Sequence, residues 1–203
     1  MTAQPLVPVF DIGGVFLDWN PRHLYRKLFE DEAAMEHFLE TVCSPDWNLQ
    51  QDAGRSWAEA VAELTERFPD HAEMIGYYDT RWEEMIPRIF HGTVGILEEL
   101  QARGPVYAIT NFSVEKFAHA KTLWPFLASF DGCVVSGECR LLKPDAAIYR
   151  RLCDEYGLAP ERCLFIDDVQ KNVEGARAVG MQAVRFESPE QLRADLVVRG
   201  MLD

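Results

Sequence analysis

The sequence lacks long apolar runs and has no excess of positive charge. No apolar stretch approaches the roughly 18 residues that a membrane span needs. The N-terminal "MTAQPLVPVF" has no basic region, so a signal peptide is not expected either. The net charge of −13 argues against non-specific binding to nucleic acid or to an anionic membrane surface. We therefore expect a cytoplasmic protein, either a monomer or a homodimer, with a small-molecule partner.

The five cysteines and five histidines have no spacing that points to catalytic or metal-binding chemistry. The cysteines include no C-x-x-C pair and none has a histidine beside it, so buried, reduced thiols are expected rather than disulfides or a nucleophile. The histidines have no metal-ligand spacing, which argues against a zinc site. The cysteines are Cys43, Cys133, Cys139, Cys153 and Cys163, and the histidines are His23, His37, His71, His91 and His119.

Short apolar segments alternate with amphipathic helix patterns in most of the chain. Buried strands alternating with helices predict an α/β fold with a parallel sheet covered on both faces. "SPEQLRADLVV" predicts a last helix capped by Ser188, with Pro189 in its first turn. The predicted strands are Leu6–Phe10, Val106–Ile109, Cys133–Val135, Cys163–Ile166 and Ala183–Phe186.

Residues 20–88 have a different pattern and contain no convincing strand. Apolar residues recur there at helical spacing, as in Trp57, Val61, Leu64 and Phe68. We call residues 20–88 the helical cap. The predicted domain division is an α/β core made of residues 1–19 and 89–203, with the helical cap inserted after the first strand.

Polar residues follow the predicted strands, at the edge where a parallel sheet binds its ligands. Asp11 follows "VPVF", Thr110-Asn111 follows "VYAI", Ser136 follows "GCVV" and Asp167-Asp168 follows "CLFI", while Lys143 precedes a helix near Asp145. Converging carboxylates would repel one another, and a divalent cation offsets that cost. Hard oxygen ligands select Mg²⁺, which would then attract a phosphate despite the acidic chain.

Four segments in this order resemble the haloacid dehalogenase superfamily. They are "FDIGGVFLDW", "AITNFS", "LLKPDAAIY" and "FIDDVQKNVEGARAVG". The resemblance implies a Rossmann-like sheet core with a helical cap inserted after strand one. It also implies a small phosphorylated substrate and, in the phosphatase members, a phospho-aspartyl intermediate. The "DIGG" motif further resembles a bacterial branch that includes an α-glucose-1-phosphate phosphatase.

The resemblance also implies a role for each matched residue. Asp11 would be the nucleophile, and Lys143 would neutralise it and the transferring group. Mg²⁺ would be held by Asp11, the Gly13 carbonyl and Asp168, with Asp167 acting through water. Thr110 and Asn111 would bind the phosphoryl group, Gly13-Gly14 would let backbone N–H groups approach an oxyanion, and Asn172 would orient Lys143 or the acidic pair.

Gly13 departs from the family pattern, because most phosphatase members have an aspartate there that protonates the leaving group. Its loss removes about 10²–10⁴ of rate from general acid–base catalysis, which does not by itself abolish activity. Asp18 is a candidate substitute acid, with a helix or turn cap as the alternative. Three functions stay open: a magnesium phosphatase, a 2-haloacid dehalogenase, and a non-catalytic protein that binds a phosphate or a partner. The retained acidic pair disfavours the dehalogenase, whose substrate is itself a carboxylate.

The helical cap offers two candidates for substrate recognition. Its aromatic residues either line a pocket or pack against one another, and packing is the commoner role at helical spacing. "NLQQDAGRSW" predicts a loop between cap helices with polar groups that could face the site. Arg55 in that loop is the candidate for substrate binding, with an exposed surface arginine as the alternative. The aromatic residues concerned are Trp47, Trp57, Tyr77, Tyr78 and Trp82.

Overall fold

The computed structural model describes residues 6–203 and contains a parallel five-stranded sheet. The strands are β1 Val7–Phe10, β2 Tyr107–Thr110, β3 Gly132–Val135, β4 Cys163–Asp167 and β5 Gln182–Arg185. Their order across the sheet is β3-β2-β1-β4-β5, so β1 lies in the centre between β2 and β4. The predicted α/β fold class is confirmed, and each strand lies within one residue of its predicted position. The expectation that the N-terminus has no signal peptide concerns residues 1–10, of which residues 1–5 lie outside the residues that the structure describes.

Helices occupy the connections between these strands. Between β1 and β2 lie α1 Arg22–Tyr25, α2 Glu32–Thr41, α3 Pro45–Asp52, α4 Trp57–Arg67, α5 Ala72–Thr80 and α6 His91–Gln101. The remaining helices are α7 Val114–Leu123, α8 Ser136–Cys139, α9 Ala146–Tyr156, α10 Gln170–Ala178 and α11 Pro189–Val198. Short 3₁₀ turns lie at Pro69–His71, Trp82–Met85, Pro125–Ala128 and Pro160–Arg162. The predicted Ser188 cap is confirmed, since its side chain accepts a hydrogen bond from the Gln191 N–H.

The central strands are buried on both faces, because successive side chains point to opposite sides of the sheet. Val9 and Phe165 pack in one apolar cluster with α9 and α10. Phe10 and Ile166 pack in the other, with α6 and α11. Fully burying such a side chain contributes about 1.5–3 kcal/mol. This packing fixes the strand ends that carry the polar residues.

The helical cap and the sheet share one apolar cluster. Trp57, Tyr78 and Trp82 belong to the same cluster as Phe10 and Phe16. The two predicted domains thus meet across an apolar contact, and their exact boundaries stay a prediction.

The cysteines differ in burial. All five are free thiols, and Cys43, Cys153 and Cys163 are buried as expected, whereas Cys133 and Cys139 are half-buried. Within residues 6–203, no helix combines the length and the apolar character needed to cross a membrane.

Candidate active site

Three polar residues meet at the carboxyl edge of the sheet, where β1, β2 and β4 end. Asp11 follows β1, Thr110 ends β2 and Asp167 ends β4, and all three side chains are buried. The Asp11 N–H donates to the Ile166 carbonyl at 2.8 Å, which extends the pairing of β1 with β4 to Asp11. The order of the strands therefore brings these residues together, as the sequence predicted.

Lys143 lies between two of these carboxylates. Its Nζ is 2.7 Å from Asp11 Oδ1 and 2.7 Å from Asp167 Oδ2, and its side chain is 1% exposed. Burial lowers the pKa of Lys143, but the charges of Asp11 and Asp167 outweigh this effect and leave that pKa above its usual value. Lys143 therefore stays charged next to Asp11.

Asn111 holds the backbone of Lys143 in place. The Lys143 N–H donates to Asn111 Oδ1 at 2.9 Å, and Asn111 Nδ2 donates to the Lys143 carbonyl at 3.2 Å. Both ends of the amide are thus engaged by the protein, although Asn111 also borders the cavity described below. These hydrogen bonds position the lysine and use one of the two amide hydrogens, so contact of Asn111 with the phosphoryl group stays a prediction.

The carboxylates at this edge suit a divalent cation. Asp11, Asp167 and Asp168 each offer an oxygen, and these oxygens lie within 4.8 Å of one another. Burial raises the pKa of Asp11 to about 8, against the effect of Lys143, and Asp167 and Asp168 add to the rise. Burial and then Asp167 also raise the pKa of Asp168. Three carboxylates share one ammonium group here, so a cation with oxygen preference, such as Mg²⁺, fits the site.

Hydrogen bonds distinguish the two acids of the pair. Asp167 accepts from Lys143 Nζ, from Asn172 Nδ2 at 3.1 Å to each oxygen, and from the Val169 N–H at 2.8 Å. With so many protein donors on Asp167, Asp168 is the better candidate for direct metal contact. Asn172 lies against the acidic pair, one of its two predicted positions.

Thr110 supplies an independent sign of a ligand. Its hydroxyl oxygen is buried, the residue is 1% exposed, and this oxygen has no hydrogen-bond partner in the protein. Buried polar atoms are ordinarily hydrogen-bonded, because an unmade bond costs free energy. A phosphoryl oxygen at the edge of β2 would satisfy this hydroxyl.

The two glycines after Asp11 have different roles. Gly14 has φ 72°, and a Cβ there would lie 2.3 Å from Asp168 Oδ2, so glycine permits the close approach of that carboxylate. At Gly13 a Cβ would meet nothing within 4 Å, and the residue borders the cavity. The position of the missing family aspartate is therefore open space.

A cavity lies over this edge, between the sheet and the helical cap. Its cap side includes Asn48, Asp52, Trp57 and Trp82, and its other residues are Gly13, Leu17, Trp19, Asn111, Phe112, Ser113 and Lys116. We call this space the cap cavity. Trp57 and Trp82 line it and also belong to the apolar core, so both roles considered for the aromatic residues apply to them. Trp47 and Tyr78 instead pack against Trp57, and Tyr77 bonds to Glu73 on the surface.

Arg55 does not reach the cap cavity. Its Nε donates to Gln51 Oε1 at 2.8 Å, and its Nη1 lies 2.9 Å from Glu63. These partners hold the guanidinium at a separate groove that Trp47 and Gln50 also line, and a role of Arg55 in substrate binding stays a prediction.

The Asp18 carboxylate does not line the cap cavity either. Its neighbours Leu17 and Trp19 line that cavity, whereas its own carboxylate accepts from Arg88 Nε at 2.8 Å and lies 3.5 Å from His23 Nε2. Asp18 thus forms an ion pair with Arg88, and its role as substitute acid stays a prediction.

Asp52 and Lys116 border the cap cavity without having been predicted. The segment 48–57 was expected to be a loop, but α3 extends to Asp52. Asn48 and Asp52 are therefore four residues apart on one helix face. The spacing of four residues could have identified Asn48 and Asp52 as a pair if a helix had been predicted over Pro45–Asp52.

Comparisons with known proteins agree with this geometry. The chain is 25% identical over 184 residues to the sesquiterpene phosphatase astK of Aspergillus oryzae, which covers 85% of each chain. It is 30% identical over 94 residues to (S)-2-haloacid dehalogenase 1 of a Pseudomonas species, covering 46% of this chain and 41% of that protein. Several other curated relatives are matched over less than half of their own length.

A solved structure shares the fold. The HAD family enzyme bt-2542 of Bacteroides thetaiotaomicron, in complex with magnesium and inorganic phosphate, superposes with a TM-score of 0.70 at 20% identity, covering 91% of this chain and 96% of that one. The sequence model for haloacid dehalogenase-like hydrolases matches residues 8–180, which is most of the chain. With the aspartates and the lysine at the edge of the sheet, this match means that the chain belongs to the haloacid dehalogenase-like hydrolases.

Proposed function

We propose that the chain is a magnesium-dependent phosphatase that hydrolyses a small phosphorylated metabolite, with a sugar phosphate among the candidates. The observation that carries the proposal is the unpartnered, buried Thr110 hydroxyl beside the cluster of Asp11, Lys143, Asp167 and Asp168. A phosphoryl group is an anion that needs both positive charge and hydrogen-bond donors. This edge of the sheet offers both in an otherwise acidic protein.

In the proposed reaction, Asp11 attacks the phosphorus while the bond from phosphorus to the ester oxygen breaks and the alcohol leaves. Water then hydrolyses the resulting phospho-aspartyl intermediate to phosphate and free Asp11. Lys143 favours the ionised form of Asp11 against the effect of burial, and a bound cation would favour it further. Lys143 also offsets charge on the transferring group, and the Thr110 hydroxyl donates to one of its oxygens. Asp11, Asp168 and the Gly13 carbonyl would hold Mg²⁺, with Asp167 acting through water. The ion would supply charge neutralisation at the phosphoryl oxygens.

Dehalogenation is the second candidate, because the relatives include a 2-haloacid dehalogenase. In that reaction Asp11 would attack carbon, and no metal would be needed. The substrate would be a carboxylate, however, and Asp167 and Asp168 would repel it unless a cation were bound. This repulsion favours the phosphatase.

The test compares two substrates under two conditions. We expect the wild type to release phosphate from p-nitrophenyl phosphate with Mg²⁺, to lose that activity in EDTA, and to release no chloride from 2-chloropropionate. Asp11→Asn should keep less than about a tenth of the turnover, because the nucleophile is gone. Asp154→Asn, which changes an exposed acid on α9, serves as the matched control.

Circular dichroism and melting would show that Asp11→Asn is folded. Chloride release that survives EDTA would instead favour the dehalogenase. Absence of both activities would favour a non-catalytic binding protein.

A further inference from the structure

The position of Gly13 leaves the leaving group without its usual proton donor. Gly13 borders the cap cavity, and no atom lies within 4 Å of where its Cβ would be. Among the described residues that line this cavity, Asp52 carries the one carboxyl group. It reaches the cavity from the helical cap, whereas Gly13 lies on the sheet side.

Asp52 is held in position by three contacts. Ser136 Oγ donates to the Asp52 carbonyl at 2.6 Å, which ties the end of α3 to the end of β3. Asn48 Nδ2 lies 3.3 Å from Asp52 Oδ2, and a backbone hydrogen bond from Ser113 also reaches the carboxyl group. These contacts fix a carboxyl group at the wall of the cavity.

The surroundings of Asp52 keep a large share of its carboxyl group protonated near neutral pH. Burial raises the pKa of Asp52 to about 7, although the Ser113 hydrogen bond and the charge of Lys143 oppose the rise. Lys116 is the other charged residue that lines the cavity. It is engaged by Asp79 at 2.5 Å and lies 5.3 Å from the centre of the Trp57 ring. A proton donor works best when its pKa lies near the operating pH.

We propose that Asp52 donates the proton to the leaving-group oxygen, replacing from the cap the carboxyl group that is absent at position 13. This inference rests on the proposed phosphatase function. As Asp11 bonds to phosphorus, the bond from phosphorus to the ester oxygen breaks, and that oxygen takes the Asp52 proton and leaves as an alcohol. The Asp52 carboxylate then takes a proton from the water that attacks phosphorus. The bond to Asp11 breaks, and phosphate, the Asp11 carboxylate and protonated Asp52 result.

The donor would lie on an element that also shapes substrate choice. The alcohol must lie between Gly13 and Asp52, with Trp57 and Trp82 as walls. Phosphate esters whose ester oxygen lies near α3 would be favoured over esters whose alcohol group makes no contact with the cap cavity.

The test is a leaving-group series with Asp52→Asn, which keeps the shape and removes the acid. On p-nitrophenyl phosphate, whose leaving group needs little protonation, kcat should fall less than about threefold. On an alkyl phosphate, kcat should fall about 10²-fold or more, within the range for general acid catalysis. The wild-type alkyl activity should decline above about pH 7, and this decline should be absent in the variant. Asp46→Asn, an exposed acid at the start of α3, is the control.

A second variant separates loss of the donor from loss of structure. Asp52→Asn should melt no lower than the wild type at pH 8, because it removes a carboxylate that burial disfavours. Adding Gly13→Asp to Asp52→Asn should restore part of the alkyl activity, since position 13 has room for a side chain. That rescue would support the donor role against a purely structural one.

The outcomes distinguish failure of the Asp52 donor role from failure of the proposed phosphatase function. Equal losses on aryl and alkyl esters, or wild-type activity of Asp52→Asn on alkyl esters, would overturn Asp52 as donor and leave the phosphatase standing. A wild type that cleaves no phosphate ester with Mg²⁺ would overturn the phosphatase, and the donor with it.

Discussion

At the scale of single residues, Gly14 determines how closely the Asp168 carboxylate approaches the turn after β1. Its φ of 72° lies in the left-handed region, and the Asp168 carboxylate occupies the space of a Cβ, with three atoms within 2.7 Å. Side chains other than glycine are strained in this conformation. The glycine therefore serves the geometry of the acidic cluster as well as the turn.

Gly14→Ala should destabilise the fold by about 1–3 kcal/mol, because it adds backbone strain and displaces the Asp168 carboxylate. It should also weaken Mg²⁺ binding. Urea unfolding and calorimetric titration measure the two effects. Gly95→Ala is the control, since Gly95 lies within α6 and a methyl there meets nothing within 4 Å. That change should stabilise by about 0.5–1 kcal/mol. Equal stability of the two variants would show that the turn tolerates a side chain.

At the scale of elements, Ser136 links β3 to the helical cap. It is fully buried, accepts from the Phe112 N–H at 2.9 Å and donates to the Asp52 carbonyl at 2.6 Å. One hydroxyl thus serves both the loop after β2 and the last turn of α3. The position of Asp52 depends on this link.

Ser136→Ala should cost about 1–3 kcal/mol of stability, because a buried N–H and a carbonyl lose their partner. Activity on alkyl phosphates should fall more than activity on p-nitrophenyl phosphate, since α3 is released while Asp11 is untouched. Ser129→Ala, at an exposed site, should change stability by less than about 0.5 kcal/mol. An unchanged ratio of the two activities would mean that Ser136 does not position Asp52.

The secondary-structure elements also explain which residues of the candidate site the sequence could predict. Asp11, Thr110 and Asp167 were predictable together, because parallel strands end at one edge and strand periodicity is local. The partners of Arg55 and Asp18 were not, since these ion pairs depend on how α4 packs beside α3 and on how the end of the helical cap returns to Asp18. These contacts follow from tertiary packing, which no spacing pattern encodes.

At the scale of the whole molecule, negative charge that no cation balances is concentrated at the carboxyl edge of the sheet. The net charge is −13, and the buried edge of the sheet has three carboxylates around the single ammonium of Lys143. In the folded protein the pKa of Asp168 is raised. The folded state therefore binds more protons than the unfolded state above about pH 4, so this group lowers stability as pH rises. Metal binding should reverse that effect.

Mg²⁺ should raise the melting temperature of the wild type. Binding to the folded state alone contributes about 2.7 kcal/mol at about 100 times Kd. For a domain of this size that is about 5–10 °C. Without Mg²⁺, Asp168→Ala should melt at a higher temperature than the wild type, because a disfavoured charge is removed. Addition of Mg²⁺ should raise the melting temperature of this variant only slightly. Asp154→Ala removes an equal charge from an exposed site and should respond to Mg²⁺ as the wild type does. Differential scanning calorimetry at pH 7.5 measures all three. If Asp168→Ala gained as much as Asp154→Ala, the acidic cluster would not be where the ion binds, and the charge at this edge would need a different counterion.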